Sequence, residues 1–126
     1  MTSFVNVDLV PPWRRVLGVT LEDGTCPALE FLGSLQLQPR QRFKALAIRL
    51  CAHGTLMNED HFRRLVLSGG PPVYEFKVHV GPGWRLYVVQ GGPCWYVTHG
   101  RRKPSDRKVL AEADKAREYF ARRRAT

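Results

Sequence analysis

The chain reads as a small α+β domain, a fold class predicted by three features of its 126 residues. Residues 73–103 alternate apolar and polar side chains at period two, glycine turns interrupt that stretch twice, and helix-period apolar stripes lie before and after it. Strands grouped together and helices segregated around them are the pattern of an α+β layer architecture. At this length one domain can bury a core without disulfides or metals to staple it.

Taken in order, the stretch from Trp13 to Thr20, with Val16, Leu17, Val19 and Leu21 at its apolar positions, predicts a first strand ending at the turn Glu22-Asp23-Gly24. Thr25 or Cys26 then caps a helix with Pro27 in its first turn, where a missing N–H costs nothing. Ala28, Leu32 and Leu35 form its inward stripe. A second helix starts at Pro39, because Phe43, Leu46, Ala47, Leu50 and Cys51 recur at helical spacing, and Gly54 supplies a left-handed cap. The two helices make an antiparallel hairpin that covers the sheet. Residues 55–72 read as a connector with a short turn around Asp60–Leu67.

The meander follows. Tyr74, Phe76, Val78 and Val80 share one face of its first strand, with Glu75, Lys77 and His79 on the other. Trp84, Leu86 and Val88 alternate with Arg85, Tyr87 and Val89 in the second. Gly81-Pro82-Gly83 and Gly91-Gly92-Pro93 are its turns. Ser105 is placed to cap a final helix whose stripe is Val109, Ala113, Ala116 and Phe120. The apolar set of the meander faces the core, and the set with Lys77, Arg85 and Tyr87 is expected to be open, where cations suit RNA or phosphate.

The formal charge is +9, of which residues 101–126 carry +6. Such a stripe implies a polyanionic or acidic partner, or else a solvated helix face. Three cysteines, Cys26, Cys51 and Cys94, form no paired spacing and suit a reducing cytoplasm. The N-terminus lacks the cationic start and apolar run of a signal peptide, and no apolar run is long enough for a bilayer. No metal-ligand spacing links the histidines and cysteines, so no cofactor or metal is expected. Gly81-Pro82-Gly83 precedes a strand and not a helix, which excludes a phosphate loop of that type.

Four stretches together resemble the RelE/ParE toxin superfamily and, within it, the HigB-like, phage-derived branch. VLGVTLEDGTCPALEFLGSL resembles that branch's opening strand, loop and helix; VYEFK its "lyElR" strand, with Lys77 where arginine is usual; WRLYVV its "yRvlY" strand; and THGRRK its "LhgF.KK" strand end. The likeness spans about residues 13–120, and Arg101 stands where many members carry an aromatic.

The resemblance implies the toxin of a type II toxin–antitoxin system: a ribosome-dependent endoribonuclease that cuts mRNA without a metal, by attack of the ribose 2′-hydroxyl on the adjacent phosphate. Its implied partners are a cognate antitoxin, acidic or of helix-turn-helix type, together with mRNA and the ribosome, with no membrane. That chemistry needs a proton acceptor, a proton donor and cations around the phosphorane. Arg85 is expected to clamp the phosphate, Lys77 to add charge, and His99 and Tyr119 to move protons. Arg101, Arg102, Lys103 and Arg107 are expected on RNA phosphates and Tyr87 on a base.

Each residue has a plainer reading beside it. Arg85 can pair with Glu75 across the sheet, Lys77 can be a surface residue, and His99 can hydrogen-bond backbone at the strand end. Tyr87 and Tyr119 can simply pack. Two other functions fit the same fold: a non-catalytic inhibitor acting by binding, such as a ParE-like topoisomerase blocker, and a degenerate RNA-binding relative.

Overall fold

The computed structural model describes residues 7–8, 16–66 and 68–124. The start of the expected first strand at Trp13 and the N-terminal segment before it lie largely outside the described residues, as does Leu67. Six strands form one mixed sheet in the order β1-β2-β6-β5-β4-β3. They are β1 (Val7–Asp8), β2 (Val16–Gly18), β3 (Phe62–Val66), β4 (Val73–Val78), β5 (Trp84–Gly91) and β6 (Cys94–Arg102). Helices α1 (Pro27–Ser34) and α2 (Leu37–His53) lie between β2 and β3, and α3 (Val109–Ala121) ends the chain after a 3-10 turn at Asp106–Lys108. The fold is α+β as predicted. No described helix is long and apolar enough to cross a membrane.

The antiparallel meander β4-β5-β6 forms where the alternation put it. β2 joins it in parallel beside β6, a pairing that needs the long crossover through both helices. The α1–α2 hairpin covers one sheet face, and Phe43, Leu46, Leu50 and Cys51 pack there against Phe76, Val78, Leu86, Val88 and Val97. Gly100 of β6 lets α1 sit close: a Cβ there would collide with the Phe31 ring. Gly54 closes α2 at φ 77° with its N–H on the Leu50 carbonyl, as the cap reading required.

Three local expectations change. Residues 62–66 are an edge strand, not a connector. The pairing of β3 with β4 slips between Arg64 and Val66, so the alternation that marks a strand breaks there. α2 begins two residues before Pro39, whose missing N–H still falls in the first turn. Ser105 caps the 3-10 turn without a side-chain hydrogen bond, and α3 proper starts at Val109.

The larger correction concerns the second sheet face. α3 packs across it, and Ala113 and Ala116 join Val73, Tyr87 and Val89 in a second apolar cluster. Arg117 ties the helix down by donating to the carbonyls of Pro71 and Ser68. Beyond the helix, Leu21 bridges to Arg123, and Arg122 pairs with Glu22 at 2.8 Å. Arg123 stacks over the Phe120 ring at 3.8 Å. Much of the C-terminal basic stripe therefore holds the last helix in place.

Candidate functional site

Strand register assembles the polar face under α3 as two rows. Arg63, Glu75, Tyr87 and His99 lie opposite one another across β3, β4, β5 and β6. Lys77, Arg85 and Arg101 form the next row across β4, β5 and β6. His99 reaches this face through a bulge. Tyr87 pairs with His99 and Val88 with Val97, which leaves Thr98 as the extra residue. Strict alternation from Val97 would have sent His99 to the helical-hairpin side.

The rows divide into two sites. On the β3–β5 side, Arg63, Glu75, Lys77, Arg85 and Lys103 line a cleft of about 120 Å³, rimmed by Pro104, Asp106 and Val109. Glu75 and Arg85 form its floor at 1% and 4% exposure. Arg63 binds Glu75 Oε2 through Nε at 2.7 Å and its terminal nitrogen at 2.6 Å. Arg85 Nε stands 3.4 Å from Oε1, an oxygen that receives no hydrogen bond from the protein. Four cations thus surround Glu75, with Asp106 at the rim the other carboxylate. Burial pushes the Lys77 amine below its ordinary pKa, and the Arg63 and Arg85 charges push it further. Its ammonium donates to the Glu59 carbonyl at 3.2 Å.

On the β5–β6 side the groups are shut in. Tyr87 is fully buried and stacks on His99 with centroids 4.7 Å apart. Tyr119 of α3 meets the same imidazole edge-on at 5.4 Å. His99 Nε2 donates to Glu112 Oε1 at 2.9 Å, and Arg101 binds the other carboxylate oxygen at 2.8 Å. With that proton on Nε2, Nδ1 accepts from the Thr98 hydroxyl at 3.0 Å. Burial lowers the His99 pKa to about 4 against the opposing Glu112 hydrogen bond, so the ring is neutral at pH 7. Burial raises the Glu112 carboxyl, but the bonds from His99 and Arg101 outweigh it and leave it below the usual range. The Tyr87 phenol is pushed well up by burial and by the nearby Glu75 and Glu112 charges, and its hydroxyl has no partner.

Several expected roles need correction. Arg85 is on the floor of a cleft and paired with Glu75, not on an open face. Tyr87 offers no ring face to a base, because α3 and His99 cover it. His99 is locked in a hydrogen-bonded network away from solvent. Tyr119 is half-buried against it, so its packing reading fits the geometry. Arg101 is held by Glu112. Alternation puts Arg102 on the opposite side from Arg101, since adjacent strand residues point apart. Lys77, Arg85 and Lys103 are the expected cations that line the cleft, while Arg102 and Arg107 are exposed outside it.

Three participants were not anticipated as site residues. Arg63 escaped notice with its strand, and Glu75 was weighed only as a partner for Arg85. Glu112 does carry a signal, because it and Tyr119 are separated by seven residues, two helical turns, and so share a face of α3. No family model, curated protein or solved structure matches this chain, and the chemistry of the cleft is argued from its own side chains.

Proposed function

We propose that this chain is a growth-inhibiting ribonuclease of the RelE/HigB-like toxin type, which cuts mRNA on the ribosome and is neutralised by a cognate antitoxin. The observation that carries the reading is the cleft itself: Arg63, Lys77, Arg85 and Lys103 gathered around one buried carboxylate, whose Oε1 is ion-paired with Arg85 but receives no hydrogen bond. The order of strand, helical hairpin, meander and final helix supports the same arrangement.

In this reading a scissile phosphate sits over Arg85, with Lys103 and Arg63 closing on its oxygens. Glu75 Oε1 takes the proton of the 2′-hydroxyl as that oxygen attacks phosphorus. The bond to the 5′-oxygen breaks, and Lys77, its amine made more acidic by burial and its cationic neighbours, protonates the leaving group. The products are a cyclic 2′,3′-phosphate and a 5′-hydroxyl. The charges of the floor are arranged before substrate arrives, so little reorganisation is needed. An acidic antitoxin segment laid over these cations would block entry.

Burial of Tyr87 and His99 favours a second reading, inhibition by binding without cutting, since it withdraws two proton-transfer candidates from solvent. The test is brief induction in a bacterium with mapping of new mRNA 5′ ends, comparing the parent with Lys77→Met and Lys103→Ala. Both side chains are open enough to change without exposing core. Codon-phased new ends that fall about a hundredfold in each variant are expected. Growth arrest without new ends would transfer the assignment to the binding reading.

A further inference from the structure

A second cationic pocket lies on the other side of Lys77, where β4 runs past the beginning of β3 and meets α2. Arg42, Arg49, His61, Lys77 and His79 line about 190 Å³ there, over an apolar floor that includes Leu46 and Val78. We propose that this pocket is a second phosphate subsite, which holds the RNA backbone next to the phosphate in the cleft. The inference rests on the ribonuclease reading and adds to it where the rest of the strand runs.

Three features argue for a backbone phosphate. Arg42 and Arg49 stand seven residues apart, two turns of α2, so their guanidinium forks converge from one helix face. Both are exposed, and neither makes an ion pair or hydrogen bond within the described residues, unlike Arg40, Arg63, Arg101, Arg117 and Arg122. Cations left uncommitted beside a pocket are free to bind phosphate oxygens bidentately.

The His79 imidazole and the His61 backbone are held in place. His79 Nε2 lies 2.8 Å from the Asp60 carbonyl, and the His61 carbonyl accepts from the Lys77 N–H at 2.8 Å. The two rings stand 6.3 Å apart. The charges of Glu75 and Asp60 both reach Lys77, but neither carboxylate lines this pocket, whose charged lining is cationic.

The size selects the kind of ligand. Drug-sized ligand sites run from about 300 Å³ upward, so this pocket suits one unit of a longer chain better than a free small molecule. A phosphate on the arginines would leave its ribose against Leu46 and Val78. Lys77 belongs to both pockets, which makes the path between them continuous.

The experiment uses a 12-nucleotide RNA with 2′-O-methyl sugars, which cannot be cut, and follows its binding to the whole chain by fluorescence anisotropy across a range of salt. The Arg42→Gln/Arg49→Gln double variant should bind about tenfold more weakly at moderate salt. Its slope of log affinity against log salt should shrink by about 1.4, the release expected for two phosphate contacts on a single strand. In the parent, the ring-proton signals of His61 and His79 should shift when the RNA is added.

Lys103→Ala separates the two sites. If it weakens binding while the double-arginine variant keeps the parent's affinity and slope, the subsite is overturned and the cleft stands. If the arginine variant alone weakens, the subsite stands and the cleft is lost as the phosphate site. Absence of binding by the parent would sink both.

Discussion

The β3–β5 half of the polar sheet face and its β5–β6 half are built from the same materials and end in opposite states. Each contains a carboxylate, an arginine paired to it and further titratable groups; Glu75 belongs to the sheet itself, whereas Glu112 is supplied by α3. On the β5–β6 side, α3 brings Glu112 and Tyr119 down onto a neutral His99, and Arg101 balances the Glu112 charge. On the β3–β5 side, Glu75 faces more cations than it can satisfy, and the surplus opens to solvent through Arg63, Lys77 and Lys103. The lesson is that residue chemistry does not separate the cluster proposed as reactive from the structural one. Excess charge and access do.

The largest effect expected from breaking this contrast is at Arg85. Its removal in Arg85→Ala leaves the Glu75 carboxylate at 1% exposure with Arg63 as its main counter-charge. Breaking a buried pair on one side costs about 3–5 kcal/mol, so urea unfolding should shift strongly and loss of activity in this variant could not be assigned to chemistry. An Arg85→Ala protein as stable as the parent would mean that the floor pair is not buried in solution.

Acid comes next. The folded His99 pKa of about 4 lies below the ordinary 6.5, so between these values the unfolded chain binds the extra proton. Stability from this group is therefore complete above pH 6.5 and is lost progressively as pH falls towards 4, to a total on the order of 3 kcal/mol. The depressed Glu112 pKa acts in the same direction at lower pH. His99→Gln, which keeps a donor for Glu112, should flatten the loss between pH 6.5 and 4 in thermal melts. An unchanged pH profile in that variant would show that His99 is not buried neutral.

The smallest effect sharpens the boundary between the halves. Tyr87→Phe deletes a buried hydroxyl that has no hydrogen-bond partner, so stability should hold or rise by about 1 kcal/mol. Under the proposed ribonuclease reading, cleavage should change less than twofold. A tenfold or greater loss of cleavage with intact stability would extend the proposed reactive half across β5.

How much of this was legible can be read from individual residues. The meander and the helical stripes follow from periodicity, because burial on one face imposes that periodicity on the residues themselves, and the cap at Gly54 follows from glycine's access to positive φ. Lys77 and Arg85 were correctly placed on one sheet face. β3 was not seen, since its five residues, FRRLV, combine a short run with a slip in register that breaks alternation. Arg63 went unrecognised with it. His99 reached the right face only through a bulge that alternation does not announce.

By itself the sequence determined the meander, the helices and, outside the bulge at Thr98, which side chains share a side of each, since these depend on local spacing. The tertiary structure decided which sides meet water. Period-two alternation states that Lys77, Arg85 and Tyr87 lie on the opposite side from their neighbours, and carries no information about what lies above them. Where α3 crosses, and where Glu112 lands, set burial, and burial with charge balance separates the open cleft from the closed network.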